Sequence, residues 1–273
     1  MNYNDTSAYY AILPLIIILE IIVSSFSYFA MTWTKRKISK ESLAKLHESF
    51  IGIFLLEYWY WLTRPLLNFF KLTGITPNGI TAISIFLSFI TGALYAFGFI
   101  GSGGWLLVFG SSLDMLDGAL ARETGRVTKA GAFFDSCGDR YSDSFYFIGI
   151  AIFFLSKNFS SAAGTFTITT TDYFAAIIIM TILLGSASMS YVKARGDVAG
   201  ASTKRGLMQR PERIMMLSFL TVLDPFIRVI LVKYGQNPDL VMIIVLTIMG
   251  ILINISAIVR MTSLFKIIKG MES

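Results

Sequence analysis

Four aspartates stand at fixed intervals among apolar runs long enough to cross a bilayer. They fall in Asp114-Met-Leu-Asp117-Gly118-Ala-Leu-Ala121-Arg122 and, eight residues on, in Gly131-Ala-Phe-Phe-Asp135-Ser-Cys-Gly-Asp139. A helical span needs about 20 predominantly apolar residues, and an Asp at its centre costs roughly 2.5–3.5 kcal/mol. Four bare, central carboxylates would cost on the order of 10 kcal/mol. A chain that keeps them must bring cations to them. Asp114 and Asp117 are three residues apart, and Asp135 and Asp139 four apart, so each pair projects from one helix face. Two adjacent antiparallel helices would point all four at one place. Hard carboxylate oxygens suit Mg2+ or Mn2+, with Ca2+ also compatible, rather than a thiophilic metal. Two divalent ions would balance four carboxylates, and paired metals clamp both oxygens of an in-line phosphoryl displacement. Gly118 has no side chain and lets a flat or charged ligand approach the helix backbone.

The chain has 273 residues, 55% of them hydrophobic, against roughly 45–50% in soluble domains. It reads as an integral membrane protein with six or seven spans and a small amphipathic appendage. The net charge of +6 suggests nucleic acid as a partner. The positions of the Lys and Arg residues instead favour the cytoplasmic leaflet, and no nucleic-acid partner is expected. Cys137 stands alone, which excludes an internal disulfide, and reads as a small packing residue. His47 lies in a polar amphipathic stretch and reads as solvated.

Residues 8–34 are long enough to span, with no basic residue before them and Lys35-Arg36-Lys37 after them. The positive-inside rule then puts the N-terminus outside. Residues 1–40 form an N-terminal transmembrane anchor in this reading. In residues 41–73, Leu43, Leu46 and Phe50 recur at helical spacing and Tyr58-Trp-Tyr-Trp61 follows, while Glu57, Arg64 and Pro65 interrupt a span. This segment is expected to lie along the cytoplasmic interface as one or two amphipathic helices, with a tilted span as the alternative. Residues 74–273 form the membrane domain, with spans near 78–99, 103–122, 131–156, 172–195, 209–233 and 239–262. Gly101-Ser-Gly-Gly104 and Asn237-Pro238 read as short turns, and 157–171 as an exposed loop. Threading these spans puts most Lys and Arg, and the motif acids, toward the cytoplasm. The expected fold is an all-α integral membrane protein. A six-helix transmembrane bundle follows an extra N-terminal transmembrane helix and an interfacial amphipathic segment.

The pattern D-x2-D-G-x2-A-R-x8-G-x3-D-x3-D resembles the signature of the CDP-alcohol phosphatidyltransferases at every fixed position: Asp114, Asp117, Gly118, Ala121, Arg122, Gly131, Asp135 and Asp139. The resemblance covers roughly residues 74–262. It implies a six-helix membrane bundle, usually a homodimer, in plasma membrane of bacterial or archaeal type. Such enzymes move a phosphatidyl-type group from a CDP-linked lipid to an alcohol and release CMP. By the same resemblance Asp114, Asp117 and Asp135 bind metal, Mg2+ or Mn2+ as two ions, and Asp139 shares metal binding with general-base duty. Asn78, Gly79, Ile80, Thr81, Gly118, Arg122 and Thr128 would contact the CDP moiety. The chemistry agrees, because an anionic diphosphate needs cations and an acceptor hydroxyl needs a carboxylate to take its proton.

A second polar constellation runs from Ser190-Tyr-Val-Lys193-Ala-Arg195 through Lys204-Arg205 to Gln209-Arg210-Pro-Glu-Arg213. Part of it is the ordinary positive-inside surplus. Lys193, Arg195, Arg210 and Arg213 stand at helix ends and could converge on an anion. The two runs resemble the phosphatidylinositol-phosphate synthase branch, which implies a phosphorylated polyol acceptor such as inositol phosphate. Where that branch carries Ala-Glu after the Arg, this chain has Gly196-Asp197. Glycerol phosphate and an amino alcohol such as serine stay open as acceptors. A divalent-cation transporter is the rival from another class, disfavoured by acids clustered at one end of the spans.

Overall fold

The computed structural model describes residues 17, 20, 21, 23–32, 50–160, 165–203 and 208–272. Much of the expected first span, the Lys35-Arg36-Lys37 cluster, His47, residues 41–49, Lys204 and Arg205 lie outside the described residues. In chain order the helices are α1 (Phe50–Thr73), α2 (Pro77–Ala96), α3 (Ile100–Glu123), α4 (Lys129–Ser156), α5 (Thr170–Val198), α6 (Arg210–Lys233) and α7 (Leu240–Glu272). Between α4 and α5, β1 (Phe159–Ser160) pairs antiparallel with β2 (Thr165–Phe166). Among the described residues the protein is all-α apart from this two-rung hairpin. Among the described residues α2, α5, α6 and α7 are long and apolar enough to cross a membrane. Glycine, serine and two aspartates dilute α3, and Asp139, Arg140 and Asp143 dilute α4. The helices that carry the motif are thus not among these four.

Two compact units are present. One comprises the residues up to Ile80 with Met115–Thr128, and the other Thr81–Asp114 with Lys129 onward. In the first, residues 23–32 are helical and pack on the aromatic stretch of α1. Phe29 is buried with its ring 5.4 Å from Tyr58 and 5.6 Å from Trp61, and Ser25 Oγ lies 2.6 Å from the Tyr58 hydroxyl. Helix α1 is one continuous helix with Pro65 inside it, and its Lys71 forms an ion pair with Glu123 of α3.

The second unit packs α2 to α7 around Tyr95, Leu107, Tyr146, Ile150, Ile179, Leu217 and Leu246. Small residues set how closely its helices approach. Gly92 of α2 and Gly149 of α4 bring the two backbones into direct contact. A Cβ on Gly104 would lie 2.7 Å from Val222 N, and one on Gly101 would lie 2.6 Å from Pro225 Cγ. The Gly101–Gly104 run is therefore not the expected turn but the first turn of α3, packed on α6. The turn itself is made one step earlier by Gly98, at φ 83°, a left-handed conformation that favours glycine.

Two further expectations change. Residues 157–171 are not a simple exposed loop, because their polar groups serve the adjacent helix. Thr169 caps α5 through a capping box with Asp172, and Lys157 forms ion pairs with Asp172 and Asp239. Helix α7 runs on to Glu272, ten residues beyond the expected end at 262, since no proline or glycine stands between 262 and Gly270, which itself lies within the helix. Cys137 is exposed rather than packed.

The glycine contacts make a direct test. Gly149→Ala presses a methyl into the α2 backbone at Gly92 and should lower stability by about 1–3 kcal/mol. A Cβ on Gly250 meets nothing closer than 3.4 Å, so Gly250→Ala should be neutral or stabilising. Melting of the two detergent-purified variants separates the outcomes.

Candidate active site

The site grows from the antiparallel helices α3 and α4, joined by residues 124–128. Asp114 comes from α3, and Asp135 and Asp139 from successive turns of α4. One carboxylate oxygen of each lies within 4.8 Å of the others. Asp143, a further turn along α4, is buried at 6% exposure. Three acids at intervals of four residues make one stripe on α4.

Two arginines of α6 meet this stripe. Arg210 Nη1 lies 2.6 Å from Asp114 Oδ2 and 2.7 Å from Asp139 Oδ1, while its Nε lies 3.3 Å from Asp143 Oδ1. Arg213, buried at 4% exposure, donates from Nη2 to Asp143 Oδ2 at 3.0 Å and from Nη1 to Ser186 Oγ at 2.5 Å. Ser186 donates in turn to Asp143 Oδ2 at 3.3 Å. Helix α6 presents these arginines at its start because Gln209 and Glu212 form a capping box and Pro211 occupies the first turn. Glu212, part of the recognised Arg-Pro-Glu-Arg run, is thus a helix cap.

A polar cavity of about 300 Å3 opens beside the acids. Asp135, Asp139 and Asp143 line it together with Arg140, Ser190, Lys193, Arg210, Arg213 and Arg260. Arg213 Nε and Arg260 Nε are buried and donate no hydrogen bond among the described residues. The cavity is acidic toward α4 and basic toward α5, α6 and α7.

The donor set fits a divalent cation. Its atoms are hard oxygens close enough to share one ion, and the partner of the buried Asp139 Oδ1 is the Arg210 guanidinium, an ion pair rather than a hydrogen bond. Asp117, on α3 one turn past Asp114, is also buried.

The structure brings Asp114, Asp135, Asp139, Lys193, Arg210 and Arg213 into one neighbourhood. Arg195 is exposed in the last turn of α5 and does not line the cavity. In the first unit, Asn78 and Gly79 open α2 with Gly79 N donating to Thr76 Oγ1 at 3.1 Å, and the Ile80 side chain is buried. Thr81, the first residue of the second unit, is buried too. Gly118 faces Arg122, whose Nη1 would lie 3.2 Å from a Cβ placed there. Thr128 is exposed in the connection before α4.

A sequence model of the CDP-alcohol phosphatidyltransferases matches residues 74–267. The chain belongs to that family. It is therefore a membrane-embedded transferase of phospholipid biosynthesis. It is 36% identical over 147 residues to the archaetidylinositol phosphate synthase of Pyrococcus horikoshii, covering 53% of this chain and 68% of that protein. It is 34% identical over 158 residues to the phosphatidylinositol phosphate synthase of Mycobacterium marinum, covering 57% and 62% of the two chains. The crystal structure of the Mycobacterium tuberculosis phosphatidylinositol phosphate synthase with manganese and citrate superposes with a TM-score of 0.62 at 25% identity, over 74% of this chain and 88% of that one. The same enzyme with CDP-DAG bound gives a TM-score of 0.61 and covers 93% of its chain.

Within this CDP-alcohol phosphatidyltransferase, sequence reasoning passed over Asp143, Ser186 and Arg260. Asp143 extends the Asp135, Asp139 interval by one more turn, a period visible in the sequence. Arg260 was visible as a lone charge in the apolar run Ser256-Ala-Ile-Val-Arg260-Met. Replacing Asp114, Asp135 or Asp139 by Ala should weaken Mn2+ binding about tenfold or more, at least the effect of losing an outer-shell partner. Electron paramagnetic resonance titration reads this directly. Unchanged affinity in all three variants would place the metal elsewhere.

Proposed function

We propose that this enzyme transfers the phosphatidyl-type group of a CDP-diacylglycerol-like lipid to a hydroxyl of inositol phosphate, releasing CMP. The observation that carries the acceptor is the basic half of the cavity. Lys193, Arg210, Arg213 and Arg260 line it. Guanidinium donors set in this way suit a phosphate. An unphosphorylated acceptor such as serine would leave them unanswered. The names of the curated relatives support the same acceptor.

A divalent ion held by Asp114, Asp135 and Asp139, with Asp117 joining by the family motif, would supply positive charge to the donor diphosphate. Mg2+ or Mn2+, as two ions, fits the four motif acids. Arg122 and Gly118 receive the CDP moiety, with Asn78 to Thr81 and Thr128 completing its contacts. Asp139 takes the proton of the acceptor hydroxyl, whose oxygen forms the new bond to the β-phosphorus. The bond from that phosphorus to the bridging oxygen breaks, and CMP leaves with the electron pair. The site faces the cytoplasm, where CMP and the acceptor are soluble, with the N-terminus outside and residues 41–73 along the cytoplasmic face. The enzyme works as a homodimer.

CMP release from CDP-diacylglycerol with Mg2+ and a panel of inositol phosphate, glycerol phosphate and serine tests this reading. Inositol phosphate should be the preferred acceptor, and turnover with serine alone would overturn the assignment. Asp139→Asn should reduce turnover by roughly 10²–10⁴, the usual loss for a general base, with CDP-lipid binding retained. Arg260→Ala should raise the KM for inositol phosphate about tenfold to a hundredfold, the equivalent of one lost charged hydrogen bond. Arg195→Ala, outside the cavity, should do less.

A further inference from the structure

Arg210 answers two demands that no single position can meet. Its Nη1 contacts both Asp114 and Asp139, two of the three carboxylates able to share a divalent cation. The same side chain lines the basic half of the cavity with Lys193 and Arg260. A divalent ion such as Mg2+ lies about 2.0–2.1 Å from its carboxylate oxygens. A guanidinium nitrogen seated on the same two groups competes with it, both for lone pairs and by charge repulsion.

The geometry offers a way out. Arg210 Nε holds Asp143, not the shared carboxylates, at 3.3 Å. Asp143 is fixed from its other side by Arg213 and Ser186. Freed from Asp114 and Asp139, the Nη1 end of Arg210 can turn into the 300 Å3 cavity while Asp143 retains Nε. The guanidinium then joins Lys193 and Arg260 at the acceptor.

We propose that Arg210 is exchanged between the two halves of this cavity. It neutralises Asp114 and Asp139 until a divalent cation takes those carboxylates, and it then serves the acceptor's phosphate, with Asp143 as the positioning residue that tethers it. Metal and acceptor consequently bind with positive coupling, and linkage makes the effect reciprocal. The acceptor half of this inference rests on the function proposed above, whereas the competition at the carboxylates does not.

The test is Mn2+ binding by the purified full chain, followed by electron paramagnetic resonance, with and without inositol phosphate. Arg210→Ala should bind Mn2+ about fivefold or more tightly than the wild type, within the range of ordinary coupling, while its KM for inositol phosphate rises. Lys193→Ala removes a charge from the same cavity without touching Asp114 or Asp139, and should shift Mn2+ affinity much less. In the wild type, inositol phosphate should tighten Mn2+ binding; in Arg210→Ala that effect should vanish. Mn2+ affinity unchanged or weakened in a folded Arg210→Ala would overturn the exchange. Absence of coupling in a wild-type preparation that turns over inositol phosphate would do the same, and needs no variant. If the wild type releases no CMP with inositol phosphate, the acceptor assignment fails, and the Mn2+ affinity of Arg210→Ala still decides the competition.

Discussion

A carboxylate among apolar helices must be met by positive charge, and the arrangement of the second unit follows from how that is done. At the α3–α4 end, Asp114, Asp139 and Asp143 share one guanidinium, that of Arg210, while Asp139 has a second in Arg140 at 3.6 Å and Asp143 a second in Arg213 at 3.0 Å. With Asp135 of the same cluster, four acids face these three arginines. Breaking one buried pair strands the other charge at a cost of about 3–5 kcal/mol, so the helices carrying these groups are held in register by them. The residual negative charge is also what lets the site accept a divalent cation. Structural constraint and chemical capacity here have one cause.

The opposite ends of the helices solve the same problem by pairing acids and cations with one another. Arg228 of α6 pairs with Asp224 at 2.6 Å and with Asp239, just before α7, at 2.6 Å. Lys157, past the end of α4, pairs with Asp239 and, at 2.7 Å, with Asp172 at the start of α5. The rings of Phe153 and Phe154 lie beside these cations, with Lys157 Nζ 4.8 Å from the Phe154 centroid. This chain of ion pairs links four helix ends. Lys157 and Arg228 are its two cations.

Between the two charged ends, close helix approach does the work that a hydrophobic driving force cannot do in lipid. Gly92 against Gly149 joins α2 to α4, and Gly101 and Gly104 join α3 to α6. Polar side chains add specific contacts at the same level. The Tyr95 hydroxyl donates to Thr221 Oγ1 at 3.0 Å, and Ser88 Oγ lies 2.6 Å from the Tyr146 hydroxyl. These contacts fix the rotation of α4, and with it the direction in which its acid stripe points.

The residues alone determined that the chain is helical and membrane-embedded, because long apolar runs in lipid must satisfy their backbone within each segment. They also determined the metal-type cluster, because helical periodicity converts intervals of three and four into a shared face. Turn positions were less legible. A Gly-Ser-Gly-Gly run looks the same whether its glycines bend the chain or admit a neighbouring helix, and only the partner helix α6 distinguishes the two. Which basic residues join the acids was decided by tertiary structure alone. Arg195 and Arg213 look alike in sequence, yet one is exposed and the other is buried on Asp143. Arg260, 121 residues from Asp139 in sequence, lines the same cavity. Local spacing specifies the face on which a residue stands; the packing of distant helices determines what that face meets.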